Sequence, residues 1–477
     1  MKAVLFASLL LALLAPSLTR AQQVDTIRAL RAELEQLRAC YQARIDALEQ
    51  KLRAAEAATP ASVSPDPAAP TLAPTVAPTA APTAAPTAAA APASATMSTA
   101  RPAAPVSAAP AVNAFNPAIS LILSGTFARS SQDPANYRID GFAAPADAEL
   151  GPGFRGLSLG ESELFMAASI DPWWRGVAMI ALAPDNSVAI EEAFVQSTAF
   201  GQGLGFKAGR FLSGIGYLNQ QHRHVQDFVD IPLAYQAMFA GQVGEDGVQL
   251  RWLAPTDLLF ELGAELGRGN SFPAAAQDRS RPAMRAIHAH LGGDIGDNHS
   301  WRGGLSLLKA DAAGQQLMFG ALDSPQSQLA FDGQTRVLIA DLVWKWTADD
   351  ARTGLKLQGE YLQSRRNGMA QEAVASAPWA ISARQSGWYL QGVYQFMPRW
   401  RTGLRVDRLD PAGAWGPQAD APEHRPRRLS AMLDFSPSDF SRWRVQLAQD
   451  RARAGIVDNQ LFLQYQMLLG AHPAHRF

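Results

Sequence analysis

The sequence predicts an all-β transmembrane barrel of sixteen antiparallel strands, preceded by an α-helical coiled coil and a disordered Pro-rich linker. Three observations carry this. After about residue 115, segments of about ten residues alternate apolar and polar side chains, the period-two pattern of strands with one apolar face. Connections between these segments switch between short turns and long loops, a habit of outer-membrane barrels that sandwiches do not share. Beyond the N-terminus no stretch approaches the ~20 apolar residues a spanning helix needs, so a membrane would be crossed by strands.

Residues 1–21 read as a secretory signal. Lys2 precedes an apolar run from Ala3 to Ala15, and Pro16 and Thr19-Arg20-Ala21 place small residues at −3 and −1 of a cleavage site. Residues 22–58 read as a periplasmic coiled coil, helical over 24–57. Ile27, Leu30, Leu34 and Leu37 follow 3-and-4 spacing, and Tyr41, Leu48 and Ala55 continue the first register. Arg44 and Lys51 hold the second register's places, with Ile45 and Leu52 one residue later, so the seam is irregular. An amphipathic helix on another surface fits the same stripe, but no adjoining sequence offers it a core. Residues 59–112 form an Ala/Pro/Thr-rich linker with Pro70, Pro74, Pro78, Pro82 and Pro86 in a repeat of four. As polyproline II at about 3.1 Å per residue it spans up to roughly 150 Å. An O-glycosylated stalk has the same composition.

Residues 113–477 hold the barrel. Val248, Leu250 and Trp252 alternate with Gln249 and Arg251; Phe260, Leu262, Ala264 and Leu266 alternate with Glu261, Gly263 and Glu265; Leu355, Leu357 and Tyr361 alternate with Lys356, Gln358 and Glu360. Strands fall near 118–128, 157–170, 173–184, 188–199, 203–212, 246–254, 257–267, 284–295, 300–311, 336–347, 353–365, 383–397, 400–409, 427–436, 440–451 and 457–469. The long loops among them are 129–156, 213–245, 312–335, 366–382 and 410–426. Trp173-Trp174, Trp301, Trp344, Trp346, Trp388-Tyr389, Trp400 and Trp443 gather near strand ends, where interfacial girdles sit. Phe477 ends the chain in the outward phase of the last strand.

Composition narrows the function. A formal net charge of −1 offers no field for nucleic acid. The single cysteine, Cys40, excludes an intramolecular disulfide framework and a Cys-based zinc cluster, but can cross-link chains in an oxidising compartment. No Gly-x-Ser-x-Gly elbow, His-Glu-x-x-His or phosphate loop occurs, so an enzyme is not expected. Alternation points Lys207, Arg251, Arg302, Lys345, Lys356, Arg401, Arg405, Arg442 and Arg444 inward, against Glu161, Glu163, Glu192, Glu261, Glu265, Asp294, Asp341, Glu360 and Asp407. Such charges either set a transverse field across a wet pore or close the lumen with salt bridges; sixteen strands favour the pore.

The loop 213–245 is too apolar for a solvated tip. Its order matches the third external loop that general porins fold inward, so Asn219, His222, Arg223, His224, Asp227 and Asp230 become candidates for the pore constriction. Tyr217, Leu218, Phe228, Val229, Ile231 and Pro232 would anchor it. The pairs His222/His224 and His288/His290 could ligate a divalent metal such as zinc, the latter with Asp294; His472/His475 form a third pair. No other cofactor is expected.

Several segments carry a family resemblance: Phe115-Asn116-Pro117-Ala118-Ile119-Ser120-Leu121, Leu159-Gly160-Glu161-Ser162-Glu163-Leu164, Ala208-Gly209-Arg210-Phe211, Gly214-Ile215-Gly216-Tyr217-Leu218-Asn219 and Asp246-Gly247-Val248-Gln249-Leu250-Arg251-Trp252. The stretch from about 115 to 477 resembles a proteobacterial family of exported barrels often labelled zinc-regulated or TonB-dependent outer-membrane receptors. It is similar in layout to the phosphate-selective porins O and P. The helical leader is similar to the periplasmic extension of sucrose-type porins. TonB-dependent receptors carry a plug and a 22-strand barrel, which this chain departs from. The expectation is a channel for small polar solutes or ions in the outer membrane of a Gram-negative bacterium, with the N-terminal region in the periplasm. It would be a homotrimer in lipid, with peptidoglycan or periplasmic contact through the coiled coil. A metal-related uptake receptor without a plug is the alternative.

Overall fold

A computed structural model describes residues 117–198, 200–275, 280–319, 328–372, 377–411 and 423–470. The signal, coiled-coil and linker readings, Cys40, Phe115, Asn116, His472, His475 and Phe477 lie outside the described residues.

The strands are β1 (Ala118–Ser130), β2 (Gly156–Leu159 and Ser162–Ser169), β3 (Trp174–Leu182), β4 (Val188–Ser197), β5 (Leu204–Leu212), β6 (Gly244–Leu253), β7 (Leu259–Gly267) and β8 (Met284–Ile295). They continue as β9 (His299–Met318), β10 (Gln328–Thr347), β11 (Gly354–Glu372), β12 (Trp379–Met397), β13 (Trp400–Asp410), β14 (Arg427–Ser438), β15 (Ser441–Arg451) and β16 (Asp458–Gly470). Each pairs antiparallel with its neighbour, and β1 closes the sheet by pairing β16 on one side and β2 on the other. A two-residue strand, Ala144–Pro145, pairs additionally with Leu317–Met318. With β2 taken as one interrupted strand, the barrel has sixteen antiparallel strands. The interruption falls at Gly160, whose N–H bonds the Ser124 carbonyl at 2.7 Å. A Cβ there would lie 2.4 Å from Ser124 Oγ, so the approach requires glycine.

The strands β9 to β12 run further than their periodicity suggested. They take up most of the expected loops 312–335 and 366–382. The reason is visible along β10. Its outward side chains are Asp332, Gln334 and Arg336, then Leu338, Ala340, Leu342, Trp344 and Trp346. The pairing continues while the outward face turns polar, so the apolar alternation stops before the strand does. From Leu338 to Trp346 the apolar face covers ~27 Å along the strand at ~3.4 Å per residue. A tilt of about 40° leaves about 20 Å of height, close to the apolar band of outer-membrane barrels. Leu250, Leu291, Leu305, Leu357, Leu390, Leu404 and Leu447 extend this exposed belt around the wall.

Aromatic pairs edge the belt at the short-turn end. Trp400 stacks on Phe435 at 4.6 Å and Trp344 on His299 at 5.4 Å, and Trp443 meets Tyr465 in a tilted pair at 4.4 Å. Tyr389 is a correction to the girdle expected from Trp388-Tyr389. Neighbours on a strand face opposite ways, so Trp388 is exposed while Tyr389 is buried inside, donating to Glu360 at 2.7 Å.

The inward face also changes along the strands. Polar near the short turns, it becomes apolar towards the long loops, where Met284, Ala286, Leu308, Val337, Ile339, Leu362 and Leu409 are buried. An even polar lumen was expected; the apolar half forms a core because loops fold onto it.

Candidate functional site

The loop 213–243 enters the barrel and crosses it. Asn219 ties its two ends together: Nδ2 donates to the Ser213 and Val243 carbonyls at 2.8 and 3.0 Å, and Oδ1 accepts from Val243 N–H at 2.7 Å. A short helix, α1 (Leu233–Phe239), is buried along its whole length and packs on β12 and β13. Tyr217, Leu218, Phe228 and Ile231 are buried as well. Burying each such side chain is worth about 1.5–3 kcal/mol, which explains why so apolar a loop does not stay in water.

Wall carboxylates hold the near part of the loop. Glu265 accepts from Ser213 Oγ at 2.5 Å and Gly214 N–H at 2.7 Å. Glu360 accepts from the N–H groups of Tyr217 and Leu218 at 3.3 and 2.8 Å and from Tyr235 Oη at 2.8 Å. The backbone reaches Glu360 because Gly216 sits at φ +61°, with no room for a Cβ.

Wall cations hold the far part. Asp227 pairs with Lys356, with Arg401 at 3.2 Å, and accepts from Gln391 at 3.2 Å. Asp230 pairs with Arg405 at 2.8 Å and with Arg428, and accepts from Gln446 at 2.5 Å. Leu233 N–H donates to Asp407 at 2.9 Å. Burial pushes the Asp230 carboxyl up, but the guanidiniums of Arg405 and Arg428 outweigh it and hold the group below the usual carboxylate range.

The middle of the loop meets the acidic arc. His222 lies 3.1 Å from Glu192 and 3.4 Å from Glu191, His224 Nδ1 lies 2.9 Å from Glu163, and Arg223 lies 3.3 Å from Glu161. Arg442 donates to the His224 carbonyl at 2.6 Å.

These contacts correct the roles assigned within the loop. Asn219, Asp227 and Asp230 were expected to face solutes; Asn219 is fully buried and both aspartates are anchors. An oppositely charged wall captured the charges that spacing alone would leave free. Arg223, His224 and the edge of Asp230 line a cavity of about 770 Å³, bounded by β1, β2 and β16 and by residues of the β1–β2 loop. Ser124, Thr126, Glu161 and Gln464 form its polar wall.

The lumen charges are largely paired. Arg251 meets Glu261 at 3.1 Å, and Arg444 meets Asp434 at 2.8 Å. Lys207 sits 4.4 Å from the Phe194 ring centroid. Asp434, Arg428 and Asp450 were missed, although Ser430, Met432 and Asp434 share one phase of β14 and alternation could have found them. The inward fold of the β1–β2 loop, expected only as a long connection, was missed too. Tyr137, Ile139 and Phe142 bury inside the barrel, and Tyr137 Oη donates to Asp450 at 2.9 Å. Its apolar content was the available signal.

The two histidine pairs occupy separate clusters. His288 and His290 stack at 5.1 Å on β8, and their acidic partners are Glu265 and Glu261 on β7, at 3.8 and 3.4 Å. Asp294 is not among them. Register places His290 opposite Glu261, whereas Asp294 lies ~13 Å along the same strand, at the turn.

No family model matches the chain. A protein of Aquifex aeolicus (strain VF5), described as an uncharacterized protein, is 33% identical over 396 residues, covering 76% of this chain and 80% of its own. The chain belongs to the same family as that protein. Among solved structures, a loop L8 deletion mutant of the Vibrio cholerae outer membrane protein OmpT is 10% identical with a TM-score of 0.48, covering 74% of this chain and 99% of its own. The outer membrane channel DcaP of Acinetobacter baumannii is 11% identical with a TM-score of 0.46, covering 74% and 97%. An anion-selective porin of Comamonas acidovorans is 12% identical with a TM-score of 0.46, covering 74% and 99%.

Proposed function

We propose that this chain is a porin-like outer-membrane channel for small polar solutes or ions, narrowed by the inward loop 213–243. The carrying observation is the polar-walled cavity between that loop and the β16–β1–β2 arc, inside a closed barrel with an apolar outer belt. Solutes would pass along this arc, because the loop and its core fill the opposite side. Full-length protein refolded into planar bilayers should give discrete single-channel steps. A barrel that inserts, shown by heat-modifiable gel mobility, but never conducts defeats this reading. That outcome favours the metal-related receptor.

In the same proposal residues 1–21 direct export, 22–58 trimerise in the periplasm and 59–112 tether that trimer to the barrel. A peptide of residues 24–57 should sediment as a helical trimer. A helix-poor monomer at high micromolar concentration removes the coiled coil from the proposal.

A further inference from the structure

The geometry points to a divalent metal site of Glu163, Glu191 and His222, where the inward loop meets β2 and β4. One ligand atom from each lies within 4.8 Å of the others. One polar atom of each residue is buried and lacks a hydrogen-bond partner: Glu163 Oε2, Glu191 Oε2 and His222 Nδ1. Glu163 is fully buried and His222 is 8% exposed. Buried polar atoms normally find partners; here Glu163 Oε2 has no hydrogen bond and His222 Nδ1 and Glu191 Oε2 have only each other's charge, which marks a place for a cation.

The surrounding contacts orient these atoms as a metal site requires. His222 Nε2 lies 3.1 Å from Glu192, which in turn accepts the Leu212 N–H at 2.9 Å. An N–H donated from Nε2 to Glu192 leaves the Nδ1 lone pair free to ligate, the carboxylate–histidine–metal arrangement. Glu163 Oε1 is held by His224 Nδ1 at 2.9 Å, which turns Oε2 inward. His222 therefore ligates and His224 only positions. Ligands ~2.1 Å from one tetrahedral ion stand about 3.4 Å apart. The His222 Nδ1 to Glu191 Oε2 distance is 3.4 Å.

Charge agrees. The carboxylates of Glu161, Glu163, Glu191 and Glu192 meet Arg223 on Glu161, Lys207, whose charge acts on Glu192, and the imidazoles of His222 and His224. Arg442 donates to the His224 carbonyl and to Gln466 rather than to these carboxylates. A divalent ion balances the remaining carboxylates. One imidazole with two carboxylates suits zinc, manganese, cobalt or nickel rather than calcium. The second cluster, Glu261 with His288 and His290, is less suited, because Arg251 already occupies Glu261. Glu161, Arg223 and His224 also line the open cavity, which supplies an entry path. An ion bound there pins the loop to the wall beside the proposed passage.

Chelator-treated, untagged full-length protein in detergent is titrated with zinc chloride by calorimetry, with heat-modifiable mobility confirming that each variant has closed its barrel. One ion per chain is expected. His222→Ala and Glu163→Gln should each weaken binding by more than about 100-fold, and Glu192→Gln, a positioning change, by about 10- to 100-fold. His288→Ala with His290→Ala should leave it unchanged. If His222→Ala fails to close, the isosteric Glu191→Gln takes its place. Folded protein that binds no zinc overturns the site, as does binding that survives these changes or depends on His288 and His290. Binding is scored in micelles, so the outcome is independent of whether the barrel conducts.

Discussion

Deleting residues 219–230 is expected to raise single-channel conductance several-fold and weaken the pore's ion discrimination. The segment carries Asp227 and Asp230, which pair with Lys356, Arg401, Arg405 and Arg428 on one side of the lumen. Without it those cations and the glutamates that hold His222, Arg223 and His224 all face water in a widened passage, and a wider lumen lined by both signs discriminates less between ions. The belt, the strand pairing and the closure between β1 and β16 do not depend on the segment, so the barrel should keep its heat-modifiable mobility. Bilayer recordings under a salt gradient give conductance and reversal potential together. Unchanged values for both would place the loop outside the permeation path.

Asp230→Ala is expected to cost about 3 kcal/mol of stability, the low end of the 3–5 kcal/mol for breaking a buried ion pair. The low end applies because Arg405 keeps Asp407 at 3.0 Å and Arg428 keeps Asp450 at 2.7 Å. Asp246→Asn is the control, since the Arg210–Asp246 pair is exposed and such pairs contribute 0–1 kcal/mol. Urea unfolding followed by tryptophan fluorescence separates the two, and equal losses would show that Asp230 is not an anchor. The pH dependence follows from the depressed carboxyl. A group whose folded value lies below its unfolded value stabilises above the unfolded one, about 3.9 for Asp, and loses that contribution as pH falls through the folded value. The Asp230 contribution is therefore constant from neutrality to about pH 5 and declines below pH 4.

Much of the wall was legible because alternation is a local property. Leu250 and Leu262 face out and Arg251 and Glu261 face in, whatever the rest of the chain does. The extensions of β9 to β12 were not legible, because outward residues such as Asp332, Gln334 and Arg336 are polar beyond the belt and the period-two contrast disappears. Inward phase predicted that Arg405 and Asp407 face the lumen but not that both hold the loop. That depends on which strand stands opposite which loop residue, and Asp230 is 175 positions from Arg405.

The sequence by itself determined the strand number and the apolar outward phase and made the loop 213–245 too apolar to stay in water, because each follows from spacing and from the cost of leaving apolar side chains in water. The tertiary structure alone decided what that loop does with its charges. The inward path of the loop brings Asp230 to the arginines of β13 and β14 and His222 to the glutamates of β2 and β4, and the β7–β8 register sets Glu261 opposite His290. Buried charges settle on the nearest opposite charge, and which one is nearest depends on strand register and loop path together.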